Sequence, residues 1–110
     1  MSGWKLFLDN NSEPTETGWT VCTCINEAIR VCDYFGLPNE ISFGQDLGTG
    51  PSPHGYENNG YGFAKWLRDS VSAGHYSLPD KFTYHVVCKN LKEKDNILDI
   101  MNNLTREYSV

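Results

Sequence analysis

Two aspartates, Asp9 and Asp46, and one histidine, His85, are the side chains through which this 110-residue sequence could carry out acid-base or metal-assisted chemistry. Two carboxylates brought together can hold Mg²⁺ or Mn²⁺, because a hard divalent cation takes one or two carboxylates and completes its shell with water or substrate oxygens. An imidazole has an unperturbed pKa of about 6.5 and exchanges a proton near neutrality, as a general acid or base must. Each residue also has a plain structural reading. Asp9 and Asp46 stand where aspartate commonly accepts hydrogen bonds from loop amides, and His85, opposite in parity to Tyr84 and Val86, could be a buried histidine donating to a backbone carbonyl. Lys89 precedes Asn90, which opens a helix whose N-terminal amides favour anions; the competing reading is a solvent-facing lysine beside a helix cap.

The functional reading holds only if the chain brings these residues to one rim. Residues 4–8 are apolar on both faces apart from Lys5, the pattern of a central strand covered on two sides, and the strand ends at Asp9. A polar loop with Pro14 follows, and residues 19–23 then alternate and carry β-branched and aromatic side chains, predicting an edge strand. Thr23 is placed to cap a helix in which Ile25, Ala28, Ile29, Cys32 and Phe35 make one apolar stripe, stopped by Gly36 and Pro38. Residues 40–43 form a third strand, and a long loop over residues 44–60 holds five of the ten glycines. A loop of that length in a small domain is commonly functional or mobile. Residues 61–73 predict a helix facing the core with Phe63, Trp66, Leu67 and Val71, and residues 81–87 a fourth strand with Phe82, Tyr84 and Val86 on one face. Asn90 and Glu93 resemble a capping box before a last helix striped by Ile97, Ile100, Met101, Leu104 and Tyr108.

The order β-β-α-β-α-β-α implies parallel strands joined by right-handed crossovers, and ligands in such sheets bind beyond the carboxyl ends of the strands. That rule carries Asp9, the Gly44-Gln45-Asp46 segment and His85 to Cys88 to one edge. The chain length suits a single domain over residues 1–110, with 39% hydrophobic, 13% aromatic and 21% charged residues. A net charge of −5 disfavours long nucleic acid, which is bound through many cation-phosphate contacts. The apolar run at the start is too short for a signal peptide, and no stretch of about 18 apolar residues occurs, so a cytoplasmic protein with no membrane partner is expected. Cys22, Cys24, Cys32 and Cys88 form no Cys-x-x-Cys pair and read as reduced, partly buried thiols. The glycines of the long loop do not spell a P-loop.

Several segments together carry a family likeness. Lys5-Leu-Phe-Leu-Asp9, Gly18-Trp19, Asn26-Glu-Ala-Ile29, Ile41-Ser42 with Asp46-Leu-Gly48, Gly60-Tyr61 leading to Lys65-Trp66-Leu67, and His85 resemble the cyclic-phosphate-processing receiver-like domain. The resemblance implies a small receiver-like (flavodoxin-like) α/β fold, a three-layer sandwich with a mostly parallel four-stranded sheet in the order 2-1-3-4. It also implies action on cyclic nucleotides or cyclic phosphates. The family pattern has Leu-Asp-Asp with a nearby arginine after the first strand, Ser-Leu-Asp-His-Asp-Leu-Gly after the third, Gly-Tyr-Asp at the second helix, and His-Ser-x-Asn-Pro after the fourth.

This chain departs from that pattern at the polar positions. Asn10 follows Asp9, Ser12 and Glu13 stand where an arginine is expected, Gly44 and Gln45 replace an acid and a histidine, Gly62 replaces a further acid, and Val86-Val-Cys88 follows His85. A receiver phospho-switch is disfavoured, because Gly44 takes the place of the phosphorylated aspartate. The expectation is therefore a degenerate receiver-like domain binding a small phosphorylated ligand or cyclic nucleotide without turnover. Asp9, Asn10, Gln45 and Lys89 would contact the ligand, and Asp9 and Asp46 would hold any Mg²⁺ or Mn²⁺. Two alternatives stay open. One is an active cyclic-phosphate hydrolase using His85 and Asp46 as catalytic groups; the other is a protein-interaction or inhibitor module using the loop over residues 51–61.

Overall fold

The computed structural model describes residues 3–9, 14–44, 55–79, 81–87 and 90–108. Along the chain these form β1 (Lys5–Leu8), β2 (Trp19–Cys22), α1 (Ile25–Phe35), β3 (Glu40–Gly44), α2 (Gly60–Ser72), β4 (Thr83–Val87) and α3 (Leu91–Tyr108). The four strands make one parallel sheet in the order β2-β1-β3-β4, the receiver-like α/β arrangement and strand order that the sequence leads one to expect. Among the described residues no helix is long and apolar enough to cross a membrane.

Handedness decides where the helices go. The connections β2-α1-β3 and β3-α2-β4 both step across the sheet in the same direction, so right-handed crossovers put α1 and α2 on one face. α3 packs against α2 and β4 on that same side. Strand alternation then divides the sheet. Leu6, Leu8, Cys22, Ile41 and Phe43 point towards the helices and are buried, where Phe63, Leu67, Ile97 and Met101 meet them in one apolar cluster. Each such fully buried side chain contributes about 1.5–3 kcal/mol relative to exposure.

The opposite face carries Phe7, Trp19 and Val21 of β1 and β2 and Glu40, His85 and Val87 of β3 and β4, with Val21 and Val87 exposed. The described helices all stand on the other face of the sheet, and no described residue of the β1-to-β2 connection is helical. Phe7 meets Trp19 edge-on at 5.9 Å, and the Lys5 ammonium lies 5.3 Å from the Trp19 ring centroid. These contacts partly shelter the apolar side chains that make β1 look covered on both sides.

Local chemistry moves several element ends. Cys24, not Thr23, takes the N-cap position of α1 without a side-chain cap bond; the Thr23 amide instead donates to Glu27 Oε1 at 2.9 Å, one turn into the helix. Gly36 ends α1 at φ 82° and ψ −174°, a region open to glycine almost alone. β4 begins two residues later than its hydrophobic pattern suggests, since Lys81 has φ 59° and a left-handed residue cannot continue a strand.

Candidate functional site

The order β2-β1-β3-β4 reverses direction between β1 and β3, which makes the carboxyl ends of those two strands the switch point where α/β sheets open a crevice. Leu8 pairs with Phe43, so Asp9 emerges level with Gly44, the last residue of β3. The Asp9 amide donates to the Cys22 carbonyl at 3.1 Å, and this bond carries the β1-β2 ladder one residue further and fixes the aspartate backbone. Asp9 is buried, with 8% of its surface exposed.

Its carboxylate lies directly against Gly44. A Cβ built on Gly44 would stand 2.6 Å from Asp9 Cγ, 2.6 Å from Asp9 Oδ2 and 2.5 Å from the Leu8 carbonyl oxygen. No side chain fits there while Asp9 keeps this position. The absence of an acid at residue 44 is therefore built into the packing of the rim, and Asp9 occupies the volume that a side chain at the end of β3 would need.

The same rim gathers the beginnings of all three helices, as the parallel topology requires. Asn59 caps α2 by accepting from the Gly62 amide at 2.7 Å, and Asn90 caps α3 by accepting from the Glu93 amide at 3.1 Å. α1 receives help from a distant segment: Asn58 Oδ1 accepts from the Ile25 amide at 2.9 Å. Gly60 packs beneath Gly44, since a Cβ on Gly60 would lie 2.9 Å from the Gly44 carbonyl oxygen and 3.2 Å from Ile97 Cδ1. Burial, reinforced by the nearby Glu57 carboxylate, raises the Glu93 carboxyl above its ordinary range. Asn58, Asn59 and Glu57 are rim residues that sequence reasoning missed, whereas the start of α3 at Asn90 and Glu93 was legible. An Asn-x-x-Gly step from Asn59 to Gly62 was the available signal for one of them.

His85 goes elsewhere. It pairs with Ser42, two positions short of Gly44 along the strands, and its Nε2 lies 2.8 Å from Glu40 Oε2 at the opposite end of β3. The ring is not the buried donor to a backbone carbonyl that its strand position also suggested, for 59% of its side chain is exposed. The geometry thus brings Asp9 and the Gly44 backbone together and leaves the imidazole on the open sheet face, directed away from them. Asn10, Gln45, Asp46 and Lys89 lie outside the described residues, as does most of the loop over residues 44–60.

A divalent cation at this rim would find one of its two expected ligands, Asp9, among the described residues. No group of three or more metal-ligating side chains gathers among the described residues. Cys22, Cys24 and Cys32 are free thiols, the first and last of them buried.

Comparison with known proteins adds one match. The family model described as the cyclic-phosphate processing receiver domain matches residues 4–103. No curated protein and no solved structure matches the chain.

Proposed function

Because the chain belongs to the cyclic-phosphate processing receiver domain family, we propose that its switch-point rim binds a small phosphorylated ligand, a cyclic nucleotide being the leading class, and does not turn it over. The observation that supports this reading is the contact between Asp9 and Gly44, which leaves Asp9 as the one carboxylate at these two strand ends among the described residues, where the family pattern has an acid at the end of each strand. Opening a phosphodiester requires charge stabilisation on the phosphoryl oxygens and a positioned proton donor or acceptor, and single directed interactions of this kind are worth about 3–4 kcal/mol each. With the acid after β3 replaced by glycine and the imidazole held at Glu40, those contributions fall away while the core that shapes the rim is unaffected.

The binding chemistry is distinct from the lost catalytic chemistry. Amides at the starts of α2 and α3 present partial positive charge, which suits a phosphate. Asp9 accepts hydrogen bonds from a hydroxyl or amino group elsewhere on the ligand, and Asn10, Gln45 and Lys89 complete the contacts. Asp9 and Asp46 would hold Mg²⁺ or Mn²⁺ weakly, as a pair of carboxylates does, and such an ion would supply positive charge to the phosphoryl oxygens.

A thermal-shift screen of cyclic nucleotides and cyclic phosphates, with and without Mg²⁺, tests this reading. A ligand at about 100 times its dissociation constant adds roughly 2.7 kcal/mol to stability, and the gain should shrink in Asp9→Asn. A panel in which no compound raises the melting temperature would remove the proposal.

A further inference from the structure

Away from the rim, on the helical side, a cleft of about 550 Å³ opens between α1, α2 and the segment that follows α2. Three aromatic rings line it: Tyr56 from the approach to α2, Trp66 from its middle and Tyr76 from beyond its end. Trp66 and Tyr76 form a corner, their centroids 5.5 Å apart and their planes at 57°, and Phe63 stacks on Trp66 at 5.5 Å to fix its plane. Trp66 is 7% exposed, so it is a rigid wall.

Among the described residues, two carboxylates and the His75 imidazole line the cleft. Asp33 of α1 and Asp69 of α2 face it, and each is held by a tyrosine of the cleft: the Tyr76 hydroxyl donates to Asp33 and the Tyr56 hydroxyl to Asp69. The bond from Tyr56 keeps the Asp69 carboxyl below its ordinary range, and Tyr56 itself is raised, so the carboxylate stays ionised and the phenol stays protonated at neutral pH. Arg68 pairs with Asp69 Oδ1 at 3.0 Å, but among the described residues neither Arg68 nor any lysine lines the cleft. A carboxylate oxygen accepts more than one hydrogen bond, so both acids retain capacity for a ligand.

We propose that this cleft binds the head group of an alkylammonium ion, with Trp66, Tyr56 and Tyr76 as the aromatic walls and Asp33 and Asp69 as the counter-charges. Aromatic faces attract cations through the negative potential above the ring, tryptophan most strongly, and neighbouring carboxylates add direct charge attraction. The same features disfavour a phosphate, which would meet two carboxylates and, among the described lining residues, no lysine or arginine. The site is therefore separate from the switch-point rim in both place and ligand chemistry.

The ammonium head has two sources, a free amine or a modified lysine side chain, and the experiment distinguishes them. The full chain is titrated at low ionic strength with choline, with a peptide bearing one trimethylated lysine, and with the carbon analogue of choline in which a neutral tert-butyl group replaces the trimethylammonium. The Trp66 indole N–H resonance reports occupancy. Choline or the peptide should shift it saturably, whichever binds more tightly identifying the source. The neutral analogue should bind about tenfold more weakly or worse, since only the charge differs. Asp33→Asn, which keeps an acceptor for Tyr76, should weaken the charged ligand several-fold and leave the neutral one unchanged. Equal affinity for the charged and neutral compounds, an unaltered affinity in folded Asp33→Asn, or no saturable shift with either cation would each overturn the assignment.

Discussion

Replacing Gly44 with alanine tests the packing of the rim directly. The added methyl carbon would stand 2.5 Å from the Leu8 carbonyl oxygen and 2.6 Å from both Asp9 Cγ and Asp9 Oδ2, where favourable contacts begin about 1 Å further out. The Asp9 side chain can rotate, but the Leu8 carbonyl sits in a sheet paired on both sides of β1 and has little freedom to retreat. Overpacking of this size costs about 1–3 kcal/mol, partly offset by the 0.5–1 kcal/mol or so that alanine gains over glycine in a strand. The net expectation is a loss of about 1–2 kcal/mol, seen in urea as a lower midpoint at unchanged slope and in a thermal melt as a fall of roughly 4–12 °C. In the double variant Asp9→Ala with Gly44→Ala, the two contacts to Asp9 vanish and the one to Leu8 remains. The pair should therefore couple favourably by about 0.5–1 kcal/mol in a double-mutant cycle. A Gly44→Ala protein as stable as the parent, or strictly additive effects, would refute the claim that Asp9 fills this space.

Three further outcomes are expected. His85→Ala should change stability by no more than about 0.5 kcal/mol, as for other exposed pairs, and should leave phosphorylated-ligand affinity at the rim unchanged; urea melts and a calorimetric titration check both. Burial, with smaller contributions from Glu27 and Cys24, pushes the Cys22 thiol up to about 12 from an ordinary value near 9. A group whose folded pKa is raised stabilises the fold fully below its unfolded pKa. That contribution is lost as pH rises from about 9 towards 12, and the stability curve of Cys22→Ala should fall less steeply across the same window. Gly36→Ala should cost about 1–3 kcal/mol by urea unfolding despite open space around the residue, because its backbone conformation disfavours any side chain.

Much of the fold is legible in the sequence because burial imposes periodicity. Ile25, Ala28, Ile29 and Cys32 recur at helical spacing and are the residues α1 buries, and the apolar runs before Asp9 and Gly44 are the two central strands. What periodicity does not carry is the identity of the partner across an interface. The Thr23 amide is met by Glu27, and the start of α1 is completed by Asn58 from more than thirty residues away. Neither follows from the pattern of either segment alone. The sequence shows His85 opposite in parity to Tyr84 and Val86, but its expected place at the rim fails on register, which pairs it with Ser42 and turns its ring to Glu40. The open sheet face was illegible for a different reason: Phe7 and Trp19 are apolar, and only the topology reveals that they shelter each other. At the candidate site, the loss of an acid at Gly44 is plain in the sequence, but that Asp9 stands in its space required coordinates.

The central claim, binding at the Asp9 rim without turnover, is tested most directly by phosphorus NMR of a cyclic nucleotide mixed with the full chain and Mg²⁺. A resonance that shifts and broadens saturably, is restored towards its free position in Asp9→Asn, and yields no ring-opened signal over days is the predicted result. Accumulation of a ring-opened phosphate in proportion to protein concentration, or a nucleotide resonance unmoved by the protein, would contradict it.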